Sequence, residues 1–140
     1  MGAMSTIIQG QPLVAGFASG QAITTGEPIS MWGGLDHATG KVIDRHHSLY
    51  GQVLTGRILV LPCGRGSCSA SGVLLESIRN ETSPAGIIVS QIDPILGLGA
   101  ILGEELCQRV VPVVLVSAEE RETIPADRIV TIAVTGAISW

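Results

Sequence analysis

The run Cys63-Gly64-Arg65-Gly66-Ser67-Cys68-Ser69-Ala70-Ser71-Gly72 is the part of the chain best suited to chemistry. Glycines at 64 and 66 let the backbone turn tightly and approach a ligand closely. The residues after the turn follow a helical pattern, and a helix start offers unpaired N–H groups and a positive dipole end. That combination attracts a carboxylate or a phosphate. Arg65 adds a planar fork able to grip either group in two places. Ser67 is the candidate reactive atom: donors at the helix start would stabilise negative charge on its oxygen, so that it could take a proton from a carbon next to a carboxylate. Gly66, Arg65, Cys68 and Ser69 are the candidate substrate-binding neighbours. A plainer reading, a serine-capped helix after a tight turn, fits the same spacing. The run lacks the Gly-Lys-Ser/Thr of a nucleotide-binding loop and the Gly-x-Ser-x-Gly of a hydrolase elbow.

Other candidates are weaker. His46 and His47 are adjacent, near Asp44 and His37, but neighbours in an extended segment point apart. No metal site is expected; a histidine bonded within its own loop, or facing a partner, fits better. The three cysteines, Cys63, Cys68 and Cys107, lack the spacing of an iron–sulfur cluster run. An odd number without CxxC also argues against a disulfide framework and for a reducing, cytoplasmic setting. Trp32 either covers its loop or plugs the core.

The elements that must hold this turn can be read from periodicity. Arg57-Ile58-Leu59-Val60-Leu61 and Gly86-Ile87-Ile88-Val89 are short apolar runs of the kind buried on both faces of a sheet. Between them Ala70, Leu74 and Ile78 recur at spacing four and predict a helix to about Arg79. Asp93-Pro94 opens a second helix, with Asp as N-cap and Pro in the first turn. Its expected apolar stripe is Ile95, Leu98, Leu102 and Leu106, and Gly97, Gly99 and Gly103 weaken it while allowing close packing. Strands are expected over 110–116, with Pro112 at an edge or start, and over 128–134. The alternation β-α-β-α-β implies parallel strands with right-handed crossovers. Before it, residues 13–29 read as short β pieces punctuated by Gly16, Gly20 and Gly26, and residues 32–50 as a long polar loop of the kind that is often functional. The fold class is α/β, a layered β/β/α domain.

Bulk composition sets the outer bounds. The 140 residues are 46% apolar and 14% charged, which excludes disorder and leaves apolar surface for a partner. Net charge is −4, and only Lys41 among the eight basic residues is lysine. No basic stripe or aromatic platform exists for nucleic acid, and no apolar run is long enough to span a membrane. Met1-Gly2-Ala3 before Met4 looks like a vector remnant, so that residues 1–4 stand apart from a single domain over 5–140.

Taken together, these segments resemble the small swivel subunit of aconitase X enzymes. The likeness rests on Trp32-Gly33-Gly34-Leu35-Asp36, Thr39-Gly40-Lys41-Val42-Ile43-Asp44, His47-Ser48-Leu49 with Gly51, Gly56 to Pro62, Gly64 to Ser71, and Ser83 to Ile88, in order over residues 10–117. The resemblance implies a swivelling β/β/α fold and a larger partner subunit that carries the iron–sulfur cluster, with no cofactor in this chain. It also implies a dehydration, in which the serine of Gly-Arg-Gly-Ser, here Ser67, is the proton acceptor. Such a chain is expected to be inactive alone. The stretch from Ser67 to Glu76 is closer to relatives that dehydrate cis-3-hydroxy-L-proline than to those that dehydrate mevalonate 5-phosphate. A helix start holds a carboxylate or a phosphate equally well, and a stand-alone anion-binding module remains a competing reading. Ser48 departs from the family's pattern, where proline is expected.

Overall fold

A computed structural model describes residues 6–65 and 69–140. The strands are β1 (Ile7–Gln9), β2 (Gln11–Val14), β3 (Ala18–Thr24), β4 (Leu35–Asp36), β5 (Lys41–Val42), β6 (Ile58–Leu61), β7 (Gly86–Val89), β8 (Val113–Leu115), β9 (Ile129–Ile132) and β10 (Ala137–Ser139). The helical segments are α1 (Met31–Gly34), an irregular turn, α2 (Ser69–Arg79), α3 (Pro94–Cys107) and α4 (Ala118–Thr123). Eight strands form one hydrogen-bonded series in the order β1-β10-β9-β3-β6-β7-β8-β2. β4 and β5 make a separate small hairpin.

Three layers arise because β3 serves two partners. Through Ala18–Gln21 it runs antiparallel to β9, and through Ala22–Thr24 it runs parallel to β6. The series therefore folds over on itself. β6, β7 and β8 are parallel, with Leu59 beside Ile87 and Ile87 beside Val113. Alternate residues of this central sheet face opposite ways. Leu59, Leu61, Ile87, Val89 and Val113 pack under the helices with Leu74, Ile78 and Leu96. Ile58, Val60, Ile88 and Val114 pack on the other side against Val130, Ile132 and Ile138. The expected layered α/β, β/β/α architecture is what forms, with its parallel crossovers.

Several details differ from the sequence reading. The outer β layer is built from both chain ends (β1, β9 and β10) as well as β3, rather than from the N-terminal half. Strand β10 and helix α4 were not anticipated. Gly20 does not break a strand but lies inside β3, where a Cβ would collide with the Gly56 carbonyl. Pro112 immediately precedes β8, a strand start as expected rather than an edge, since β8 lies between β7 and β2.

The largest correction concerns α3. Its buried face is Leu96, Gly97, Gly99, Ala100 and Gly103, while Leu98 and Leu106 are 47% and 62% exposed. Gly99 and Gly103 set this face. A Cβ on Gly99 would stand 2.9 Å from the Ser71 carbonyl, and one on Gly103 would press on Ile78. The glycines bring α3 hard against α2, and Leu98, Ile101 and Leu106 turn outward.

Candidate functional site

The glycine turn leaves β6 at its carboxyl end, where open α/β sheets present ligands. Both of its described ends are tied down. The Gly64 N–H donates to Asp93 Oδ2 at 2.5 Å. Asp93 is at the same time the N-cap of α3, its Oδ1 accepting from Ile95 N (3.1 Å) and Leu96 N (3.0 Å). A Cβ at position 64 would sit 2.8 Å from Asp93 Oδ2 and 3.3 Å from Leu96, so glycine is what permits this approach. Next to it, the Arg65 N–H donates to the Ile29 carbonyl at 3.0 Å, beside a parallel bridge between Ile29 and Gly64. On the far side, α2 begins at Ser69 and buries Ala70 and Ser71.

Of the candidate residues, Arg65 is exposed and makes no ion pair among the described residues. Ser69 is exposed at the first position of α2. Gly66, Ser67 and Cys68 lie outside the described residues. A hollow of about 50 Å³ beside the turn is lined by Ile29, Met31, Gly64, Arg65, Asp93 and Leu96. That is room for a water or two rather than a substrate ring.

No three His, Cys, Asp or Glu side chains converge as ligands among the described residues. Cys63 ends the β6 segment and Cys107 ends α3, both half-buried. Burial pushes the Cys63 thiol up, the Asp93 carboxylate pushes it further, and the Arg121 cation opposes them. A raised thiol is a poor ligand and a poor nucleophile.

The long polar segment is ordered by its own side chains. His47 is buried, its Nδ1 accepting from Leu49 N at 3.0 Å while Nε2 faces the Glu27 carbonyl at 3.4 Å. It is the histidine bonded within its loop. Ser48, in the proline position, uses what proline lacks: its N–H donates to Glu27 Oε1 at 3.2 Å. These bonds to Ser48 hold the Glu27 carboxyl below its ordinary value. Asp36 accepts from Ala38 N (2.9 Å) and Thr39 Oγ1 (3.0 Å), which lowers it likewise. Trp32 is 64% exposed, and it is Met31 that plugs the core.

Sequence reasoning missed one further group, Arg121 on α4. The capping box Ser117-x-x-Glu120, present in the structure, is the signal that would have placed that helix.

The fold and turn define a class: a three-layer β/β/α domain that presents an anchored glycine turn at the carboxyl edge of a parallel sheet. The family model "Aconitase X swivel domain" matches residues 7–139. The chain belongs to the aconitase X swivel-domain family. It is 49% identical over 107 residues to the cis-3-hydroxy-L-proline dehydratase of Pseudomonas aeruginosa, a match covering 76% of this chain and 18% of that protein. It is 46% identical over 84 residues to the phosphomevalonate dehydratase small subunit of Methanopyrus kandleri, covering 60% of this chain and 62% of that one. The crystal structure of Thermococcus kodakaraensis aconitase X in its holo-form superposes with a TM-score of 0.85 at 30% identity, over 95% of this chain and 96% of that chain. The domain thus occurs both as a small part of a longer protein and as a separate short chain. No described helix is long and apolar enough to cross a membrane.

Proposed function

We propose that this chain is the small component of an aconitase X-type dehydratase acting on cis-3-hydroxy-L-proline, and that Ser67 is its proton acceptor. The observation that carries the reading is the 49% identity to a dehydratase of that name across a stretch of 107 residues. The anchored turn supports the site. Asp93 and the Ile29 carbonyl fix the approach to Ser67, and α2 begins two residues beyond it, so its N-terminal dipole favours an anion there. Arg65, Gly66, Cys68 and Ser69, the neighbours of the serine in sequence, are the candidate substrate-binding residues. In this scheme the Ser67 oxygen, as its alkoxide, takes the proton from carbon next to the substrate carboxylate.

The large partner supplies the rest. The family resemblance assigns it an iron–sulfur cluster, whose iron would act as a Lewis acid toward the leaving hydroxyl. The hollow beside the turn is too small for the substrate, which supports a site closed by another chain. Exposed Trp32, Ile43, Tyr50 and Val53 on the long polar segment are suited to face that chain. The second reading, a mevalonate 5-phosphate dehydratase small subunit, is favoured by the separate short relative from Methanopyrus.

The test is dehydratase activity of this chain co-expressed anaerobically with its large partner, wild type beside Ser67→Ala. A mutant that folds and assembles but loses about 10²–10⁴ in rate supports Ser67 as the base. An undiminished mutant removes that role. A cluster-loaded wild-type complex inactive on the proline substrate but active on mevalonate 5-phosphate would select the second reading.

A further inference from the structure

A second charged group sits at the same carboxyl edge of the sheet, on its opposite face. Arg121 projects from the short helix α4, and only 12% of its side chain is exposed. Its Nη1 is buried without a hydrogen-bond partner among the described residues. Among the same residues its Nη2 faces Glu122 Oε1 at 3.8 Å, on a carboxylate that is itself 73% exposed. Arg57 shows what a structural arginine does in this fold. Its Nη2 binds both the Ala22 carbonyl (3.2 Å) and Asp127 Oδ1 (3.0 Å), tying β3 to the loop before β9, although its own Nε is also buried without a partner among the described residues. The Arg121 side chain makes no comparable tie among the described residues. A buried guanidinium nitrogen left unpaired is costly, so a fold that keeps one usually has a ligand for it.

The surroundings indicate what that ligand is. Arg121 lines a cleft of about 300 Å³ with Thr24, Thr25, Gly26, Val60, Ile124 and Glu122, whose carboxylate is turned largely to solvent. Thr24 is paired in register with Val60, and by strand alternation its side chain lies on the same face as Ala22 and Val60, the face Arg121 covers. Val60 is three residues before Cys63, and the Arg121 charge reaches the Cys63 thiol at the start of the glycine turn. A planar fork with an adjacent threonine hydroxyl suits a carboxylate.

We propose that Arg121 and Thr24 form a carboxylate seat at the carboxyl edge of β3 and β6, next to the Ser67 turn. Its occupant is either the substrate's carboxylate or a carboxylate side chain of the large partner. The first source rests on the dehydratase reading; the seat itself does not.

Two measurements test it. On this chain alone, ¹⁵N spectra follow the Arg121 Nε–H during titration with acetate, beside Thr24→Val, which keeps the side-chain shape and removes the hydroxyl. A saturable shift, weakened about threefold or more in Thr24→Val, is the expected result. In the assembled enzyme, Arg121→Gln and Arg121→Lys are compared with wild type. A KM raised about tenfold with assembly and kcat little changed, partly rescued by lysine, places the substrate in the seat. Assembly weakened about tenfold, more so at low salt, with KM unchanged places the partner's carboxylate there. If the wild-type complex is inactive on every substrate tried, the dehydratase reading falls, and the acetate titration still decides the seat. No acetate response, with KM and assembly both unchanged in Arg121→Gln, overturns the proposal.

Discussion

The parallel unit from β6 to β8 and the polar segment from residue 25 to 56 are held in opposite ways. In the first, the four-residue strands β6 and β7 are buried along their whole length, and two helices cover them with Leu74, Ile78 and Leu96. In the second, the regular structure is one short hairpin and an irregular turn. Its shape comes instead from side chains bonding to nearby backbone: Asp36 to Ala38, Asp44 to His46, and His47 to Leu49. Apolar packing holds a scaffold through many small contacts, whereas polar loops depend on a few bonds whose geometry is specific. The glycine turn stands where the two regions meet. Gly64 is held by Asp93 of the parallel unit, and Arg65 by Ile29 of the polar segment.

Breaking the parallel unit's hold on the turn should have the largest effect. Asp93→Ala removes the α3 cap and the acceptor for Gly64 together, with an expected loss of about 2–4 kcal/mol in chemical denaturation. A loss under about 0.5 kcal/mol would mean that the turn does not lean on α3. Within α3 itself, Gly99→Ala should destabilise by about 1–3 kcal/mol, because the new Cβ meets the Ser71 carbonyl and Leu74. Gly97→Ala, with nothing within 4 Å of its Cβ, should stabilise by about 0.5–1 kcal/mol. Equal melting shifts for the two would contradict the close α2–α3 crossing.

The polar segment should answer to acid instead. Glu27 and Asp36 are both held below their ordinary values by hydrogen bonds to the charged form. A depressed carboxyl contributes stability that is present above its unfolded value, and that stability is lost as pH falls through the folded one. The small stability gap between wild type and Asp36→Asn should therefore persist at neutral pH and close below about pH 4. A gap independent of pH would remove the charge from the explanation.

What could be read in the sequence follows the same division. The apolar runs of β6 and β7, the spacing of Ala70, Leu74 and Ile78, and the Asp93-Pro94 cap are local patterns, and each formed where expected. β1 and β10 have three residues each and owe their existence to one another across the length of the chain, so no local window contains their cause. The face of α3 misled for a related reason. Periodicity weighs side chains by size, and here the small ones, Gly99 and Gly103, are the buried ones. The break between β6 and α2 that carries Gly64 and Arg65 was legible because the glycines and the periodicities on either side are local. Arg121 was not, because its meaning depends on Thr24 and Val60, which only the sheet brings near.

The pairing of β1 with β10 also has a consequence for the order in which the molecule is made. Ile8 sits opposite Ile138, so β1 must wait for β10 before it can pair. The parallel unit needs only nearby segments and can condense as it is synthesised, while the outer layer closes over it once β10 is made. Until then Ile58, Val60 and Ile88 lack their cover, and the half-made chain has its greatest need of a chaperone.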